Sequence, residues 1–197
     1  MPLRPFPFPA LSIGTDIAHV PRIARLVVSP RTLPRFLRKV LTSREEREFH
    51  LRFSSKLQVR AENPHNGVAL RRGPGVVDRI KSEGAAAEGK DGDGDGIEDR
   101  ARWVERASKF LAGRWAAKEA VVKACSWRRL MFDEIMVLKE EGGKRIYGVI
   151  LDEREVRGRY GEEIQGEPAG QVVQLSISHD GEYATAVCLA ADESSSL

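Results

Sequence analysis

Apolar positions alternate with small or polar ones through LSIGTDIAHV, residues 11–20, which is the period of a strand covered on one face. Residues 22–41 change to a helical spacing in pieces, interrupted by Pro30 and Pro34. The run LTSREEREF then predicts a helix start, with Thr42 as N-cap and Glu45 three residues on to complete a capping box; that helix should reach about Leu57. FLAGRWAAKEAVVKAC, residues 110–125, predicts a helix packed on most of its sides. Projected at roughly 100° per residue, Phe110, Ala117, Val121 and Ala124 form a core stripe. Glu119 and Lys123 share another side, flanked by Ala112 and Ala116 with Trp115 at its edge. Further on, DEIMVLKEEGGKRIYGVI reads as two short strands around a Gly142-Gly143 turn, residues 152–160 as helical, and QVVQLSISHDGEYATAVCLA as a hairpin joined at Asp180-Gly181. Helices mixed with antiparallel strands predict an α+β fold, a small sheet packed against the long helix.

Composition changes this picture in one place. From about Gln58 to Arg100 the chain is rich in Gly, Ala, Arg, Glu and Asp and poor in aromatic and β-branched clusters. Such a stretch buries too little apolar surface to offset its ordering entropy, so it reads as a largely disordered surface insertion. The organisation expected is an extended proline-rich arm (1–10), one domain (11–190) interrupted by the insertion at about 58–100, and a tail (191–197). Within the insertion, DGDGDGIEDRAR imitates a calcium loop from Asp91, but its twelfth position is Arg102 where a bidentate glutamate is required, which excludes an EF-hand.

The 197 residues are 41% hydrophobic, enough for a real core, and carry a net charge of +3. That modest basic balance suits acidic or phosphate-bearing partners but is too weak to argue for nucleic acid, a reading that the interspersed acids weaken further, so no nucleic-acid partner is expected. No apolar run approaches the ~20 residues of a membrane span. Cys125 and Cys188 have no metal-ligand or disulfide spacing and sit in apolar runs, so buried thiols in a reducing compartment are expected. Mitochondrial matrix and cytosol both fit.

Three polar intrusions in apolar elements carry the candidate chemistry: Asp16 in a strand, Glu119 in a helix, and Ser178-His179 at a strand end. Each has an ordinary reading. Glu119 and Lys123 could be a solvated i,i+4 pair contributing roughly 0.2–0.5 kcal/mol. Asp16 could be a turn or cap residue, and His179 could simply terminate a hairpin strand. Alanines around the Glu119–Lys123 pair speak against a solvated face, where more charge would be expected. Two carboxylates with lysines and a histidine make a hard-cation site that also holds anionic oxygens; Mg²⁺ is held by one or two carboxylates plus substrate phosphates. Such a site suits transfer from a pyrophosphate.

IGTDIAHVPRI, LTSREEREF, FLAGRWAAKEAVVKAC and SISHDGEYATAV resemble, in order and spacing, the holo-acyl-carrier-protein synthase type of 4′-phosphopantetheinyl transferase. The resemblance covers about 11–57 and 103–190 and includes the G-x-D and (W/F)-x-x-K-E-x-x-x-K motifs, the latter as WAAKEAVVK at 115–123. It implies that coenzyme A donates its 4′-phosphopantetheine arm to a serine of an apo acyl carrier protein, releasing adenosine 3′,5′-bisphosphate. Carried over, Asp16 and Glu119 hold Mg²⁺, Glu119 removes the serine proton directly or through water, and Lys123 neutralises charge on the bridging and leaving oxygens. Arg114, Lys118, Lys123, Ser178 and His179 contact coenzyme A, and Arg22 and Arg25 meet the acidic carrier. Ala112 and Ala116 would keep the site open. Small members of the family follow the lysine motif with a glycine-containing loop, which here is the glycine-free SWRRL. They also complete the coenzyme A cleft from a neighbouring subunit, so a homotrimer is expected. The longer transferases place a whole lobe before G-x-D, for which sixteen residues leave no room. The competing reading is a non-catalytic interaction module that keeps this fold; retention of Asp16, Glu119 and Lys123 counts against it.

Overall fold

The computed structural model describes residues 11–53, 94–140, 142, 145–152 and 168–192, with only the backbone for 94–98. The extended arm, the tail, most of the insertion and the helix expected at 152–160 lie outside the described residues. Elements follow in the order β1 (Leu11–His19), α1 (Val20–Val27), α2 (Leu33–Val40), α3 (Ser43–Phe53), α4 (Gly94–Ala124), β2 (Ile135–Lys139), β3 (Ile146–Leu151), β4 (Gly170–Asp180) and β5 (Tyr183–Ala191). A short 3₁₀ turn, Phe132–Glu134, leads into β2. The five strands form one antiparallel sheet in the order β1-β5-β4-β3-β2, and this α+β architecture is the one the hydrophobic pattern predicts.

Local chemistry explains most of these boundaries. Gly142 takes φ 66° between β2 and β3, and Gly181 takes φ 51° where β4 turns into β5, both left-handed positions that favour glycine. Thr42 caps α3 as expected: its backbone N–H donates to Glu45 Oε2 at 2.8 Å, and Glu45 N–H donates back to Thr42 Oγ1 at 3.4 Å. Pro30 lies between α1 and α2, but Pro34 stands in the first turn of α2 and begins that helix rather than interrupting it. A helix start has no use for the missing N–H, so proline fits there. The long helix begins at Gly94, so α4 takes in residues 94–100, the end of the segment read as insertion.

The sheet lies against α4 because the strand positions beneath the helix are small. Gly14 and Ala18 of β1, and Ala184, Ala186, Cys188 and Ala190 of β5, are all buried. A Cβ added at Gly14 would stand 2.0 Å from the Ala120 carbonyl oxygen and 2.5 Å from the Ala124 nitrogen. Glycine is therefore what lets β1, with Asp16 two residues on, run in backbone contact with α4. Helices α1 and α2 bury Val20, Ile23, Val27, Phe36, Leu37 and Val40 and leave their arginines outside. Cys125 and Cys188 are free and buried, and burial pushes the Cys188 thiol up to about 12.

Among the described residues no element covers the opposite face of the sheet, which is largely apolar. Leu11, Ile13, Ile17, Val172, Tyr183, Val187 and Leu189 are exposed there, with Ile13 at 65% and Ile17 at 60%. No helix among the described residues is long and apolar enough to cross a membrane.

Candidate active site

Strand β1 and the last turns of α4 bring three of the expected residues together. Asp16 faces α4 by the alternation that points Gly14 and Ala18 inward. Lys123 reaches across to it, donating from Nζ to Asp16 Oδ1 at 2.8 Å and to the Thr15 carbonyl at 2.9 Å. Glu119 lies one turn before Lys123 on α4 and adds its field to the same ammonium. The hydrogen bond to Asp16 raises the Lys123 pKa above its ordinary value against the opposing effect of burial, and the charges of Asp16 and Glu119 add to the rise. Asp16, Glu119 and Lys123 thus form one cluster. Trp115, four residues before Glu119, extends it: the Arg22 guanidinium stands 5.9 Å from the Trp115 ring centre, and Phe36 stacks on that ring at 5.8 Å. Arg22 and Arg25 are exposed beside this end of the helix.

The other expected ligand residues are placed elsewhere. Lys118, adjacent to Glu119 in sequence, points into the core with 0% exposure. It donates to Glu45 Oε2 at 2.6 Å and to the Phe132 carbonyl at 3.0 Å. Burial lowers its pKa, with Glu45 pulling the other way. In this position its ammonium meets protein groups rather than a ligand, which corrects the coenzyme A role expected of it. Glu45 is as deeply buried and also accepts from Val137 N–H at 3.1 Å and Thr42 Oγ1 at 3.0 Å. The capping residue of α3 is therefore also the acceptor that ties α3, α4 and β2 together. Reading Glu45 as a cap alone missed this; the signal was an acid at a helix start opposite a lysine in an apolar helix.

Arg114 faces α3. Its Nη2 donates to Glu48 Oε2 at 3.3 Å, its Nε lies 3.5 Å from Glu45 Oε1, and its guanidinium covers the Phe110 ring at 4.7 Å. His179 sits over Gly113, donating from Nε2 to the Lys109 carbonyl at 2.9 Å. Ser178 occupies the alternate position of β4, exposed on the opposite face, so the pair read as one ligand-binding unit is split by the two-residue period of the strand. Ala112 and Ala116 are 0% exposed and filled against, so they do not hold the site open as expected. The reason is that α4 is covered by the sheet on one side and by α1 on another. A cavity of about 370 Å³ between α3 and the first half of α4, lined by Arg52, Phe53, Trp103, Arg106 and Lys109 among others, was not anticipated from the sequence.

Among the described residues no three His, Cys, Asp or Glu side chains gather as a metal cluster. Asp16 and Glu119 are a two-carboxylate set. This fits Mg²⁺, which keeps coordination positions for substrate phosphates and water, better than it fits zinc or calcium, which draw most ligands from protein.

A strand aspartate, a helix glutamate and a helix lysine that meet at one strand–helix contact suit a phosphoryl-group-transfer type of site. Comparison with known proteins places the chain within that class. It is 35% identical over 193 residues to 4′-phosphopantetheinyl transferase B, mitochondrial, of Aspergillus fumigatus, covering 97% of this chain and 99% of that one. It is 34% identical over 132 residues to a holo-[acyl-carrier-protein] synthase of Corynebacterium efficiens, covering 62% of this chain and 90% of that one. Among solved structures, the complex of the Chronobacterium ammoniagenes acyl-carrier-protein synthase with coenzyme A is similar at 24% identity and a TM-score of 0.47, covering 93% and 98% of the two chains. No family model matches. The chain belongs to the 4′-phosphopantetheinyl transferases of the holo-acyl-carrier-protein synthase type, and is an enzyme of that family.

Proposed function

We propose that the enzyme transfers 4′-phosphopantetheine from coenzyme A to a serine hydroxyl of an apo acyl carrier protein, releasing adenosine 3′,5′-bisphosphate. The observation that carries this reading is the convergence of Asp16, Glu119 and Lys123 at the β1–α4 contact. Asp16 and Glu119 would hold Mg²⁺, which when bound supplies charge neutralisation for the pyrophosphate oxygens. The hydrogen bond to Asp16 holds the Lys123 ammonium above its ordinary pKa, so it stays charged and neutralises the charge gathering on the leaving phosphate. The serine oxygen bonds to the phosphorus that carries the pantetheine arm as the bond to the bisphosphate breaks, and the Glu119 carboxylate takes the serine proton. Gly113, beneath His179, precedes Glu119 by six residues, or about 9 Å of helix. In this reading the nucleotide phosphates go to Arg114 and His179 and the reacting end to the cluster. Arg22 and Arg25, next to Trp115, meet acidic groups of the carrier.

Incubation with coenzyme A and an apo acyl carrier protein tests the reading. Bisphosphate release that stops on adding a chelator and returns with Mg²⁺ is expected; no release at any Mg²⁺ concentration would contradict it. The mitochondrial name of the Aspergillus relative supports the mitochondrial matrix as the compartment.

The exposed apolar face of the sheet supports a homotrimer, since an uncovered patch of this kind marks an association surface. One repeated contact closes a ring of three. Light scattering should give about three times the 21.9 kDa of one chain, and Ile17→Asp should lower that mass. Active protein at the mass of one chain would rule the trimer out.

A further inference from the structure

We propose that Glu48 holds the place of a phosphate: it bridges Arg114 and Arg52 until an anionic oxygen of coenzyme A displaces it, and so sets the affinity for that substrate. The proposal rests on the assignment of Arg114 to the nucleotide phosphates. Glu48 Oε2 lies 3.3 Å from Arg114 Nη2 and its Oε1 lies 3.8 Å from Arg52 Nη2. Both guanidiniums stand over the same Phe110 ring, at 4.7 and 5.3 Å. Two arginines on one aromatic support, joined by one carboxylate, form a cradle whose geometry also suits a phosphate.

The two carboxylates near Arg114 differ in how firmly they are held. Glu45 is buried and already accepts from Lys118, Thr42 and Val137. This leaves Arg114 Nε, at 3.5 Å, buried and without a hydrogen bond. The hydrogen bond that Arg114 makes runs to Glu48, whose side chain is 42% exposed. A carboxylate in that position leaves easily, and a phosphate monoester brings more negative charge and a further acceptor oxygen. Arg52 also lines the 370 Å³ cavity, together with Arg106, Lys109 and the acids Asp99 and Glu105, the last of which pairs with Lys109 at 2.6 Å. In sequence, Glu48 and Arg52 look like an ordinary i,i+4 helix pair. Only the fold brings Arg114, 66 residues away, onto the same carboxylate.

Glu48→Gln keeps the shape and removes the competing charge. The KM for coenzyme A should fall about three- to fivefold, the scale of an exposed ion pair. The dissociation constant for adenosine 3′,5′-bisphosphate, measured by calorimetry, should fall in parallel, with kcat and the KM for the carrier within about twofold of the unmodified enzyme. Glu48→Asp, which retains the charge, should stay near the unmodified values. Unchanged or weaker binding of both ligands by Glu48→Gln, in an enzyme that otherwise transfers, overturns this proposal alone. An unmodified protein that neither transfers nor binds the bisphosphate overturns the transferase reading, and this proposal with it.

Discussion

Asp16→Ala and Glu119→Ala are each expected to lower transfer by at least about 10²-fold, the scale on which a single charge-stabilising group acts in catalysis. Both side chains stand at the edge of the β1–α4 contact, and neither fills the core. The melting transition should therefore stay close to that of the unmodified protein. In Asp16→Ala, Lys123 loses its carboxylate partner but keeps the Thr15 carbonyl as acceptor, so local order persists. The check is turnover against Mg²⁺ concentration together with a thermal melt. A folded variant with near-normal turnover would remove the carboxylate pair from the mechanism. A variant that loses activity because it has unfolded would assign that residue to structure.

The largest stability effect is expected one residue away. Lys118→Ala would leave Glu45, 1% exposed, as a buried charge without its hydrogen-bonded cation, with only the Arg114 Nε at 3.5 Å beside it. Removing one partner of such a pair costs about 3–5 kcal/mol. Urea unfolding should show this as a lower midpoint with little change in slope. Combining Lys118→Met with Glu45→Gln should recover part of the loss, because the Lys118–Glu45 charges are gone together while the single glutamine oxygen still accepts from one of the Thr42 and Val137 N–H groups. A loss below about 1 kcal/mol for Lys118→Ala would mean that water reaches Glu45 when the lysine is removed.

The contrast between positions 118 and 119 shows what the sequence carried and what it did not. The hairpin turns, the capping box and the alternation of β1 depend on chemistry within a few residues, and each was legible there. The Asp16–Glu119–Lys123 cluster was legible because carboxylates in apolar elements need a reason, and the family resemblance supplied one. Lys118 was not separable from Lys123 in this way. Helix α4 is buried on most of its circumference, so 3.6-residue periodicity gives no solvent side on which to place a charge. Its partner Glu45 is 73 residues distant, a relation that only the packed fold reveals. Ala112 and Ala116 failed for the same reason, because small residues beside a charge suit a close-packed helix as well as an open site. The separation of Ser178 from His179 was available in the two-residue period of β4, and reading the pair as a motif obscured it.

The most direct measurement of the central claim is the intact mass of an apo acyl carrier protein after incubation with this enzyme, coenzyme A and Mg²⁺. The account predicts a gain of one phosphopantetheine group per carrier, located on the acceptor serine and absent from a carrier in which that serine is alanine. A carrier of unchanged mass in the presence of folded enzyme, or an equal gain on the alanine carrier, would contradict it.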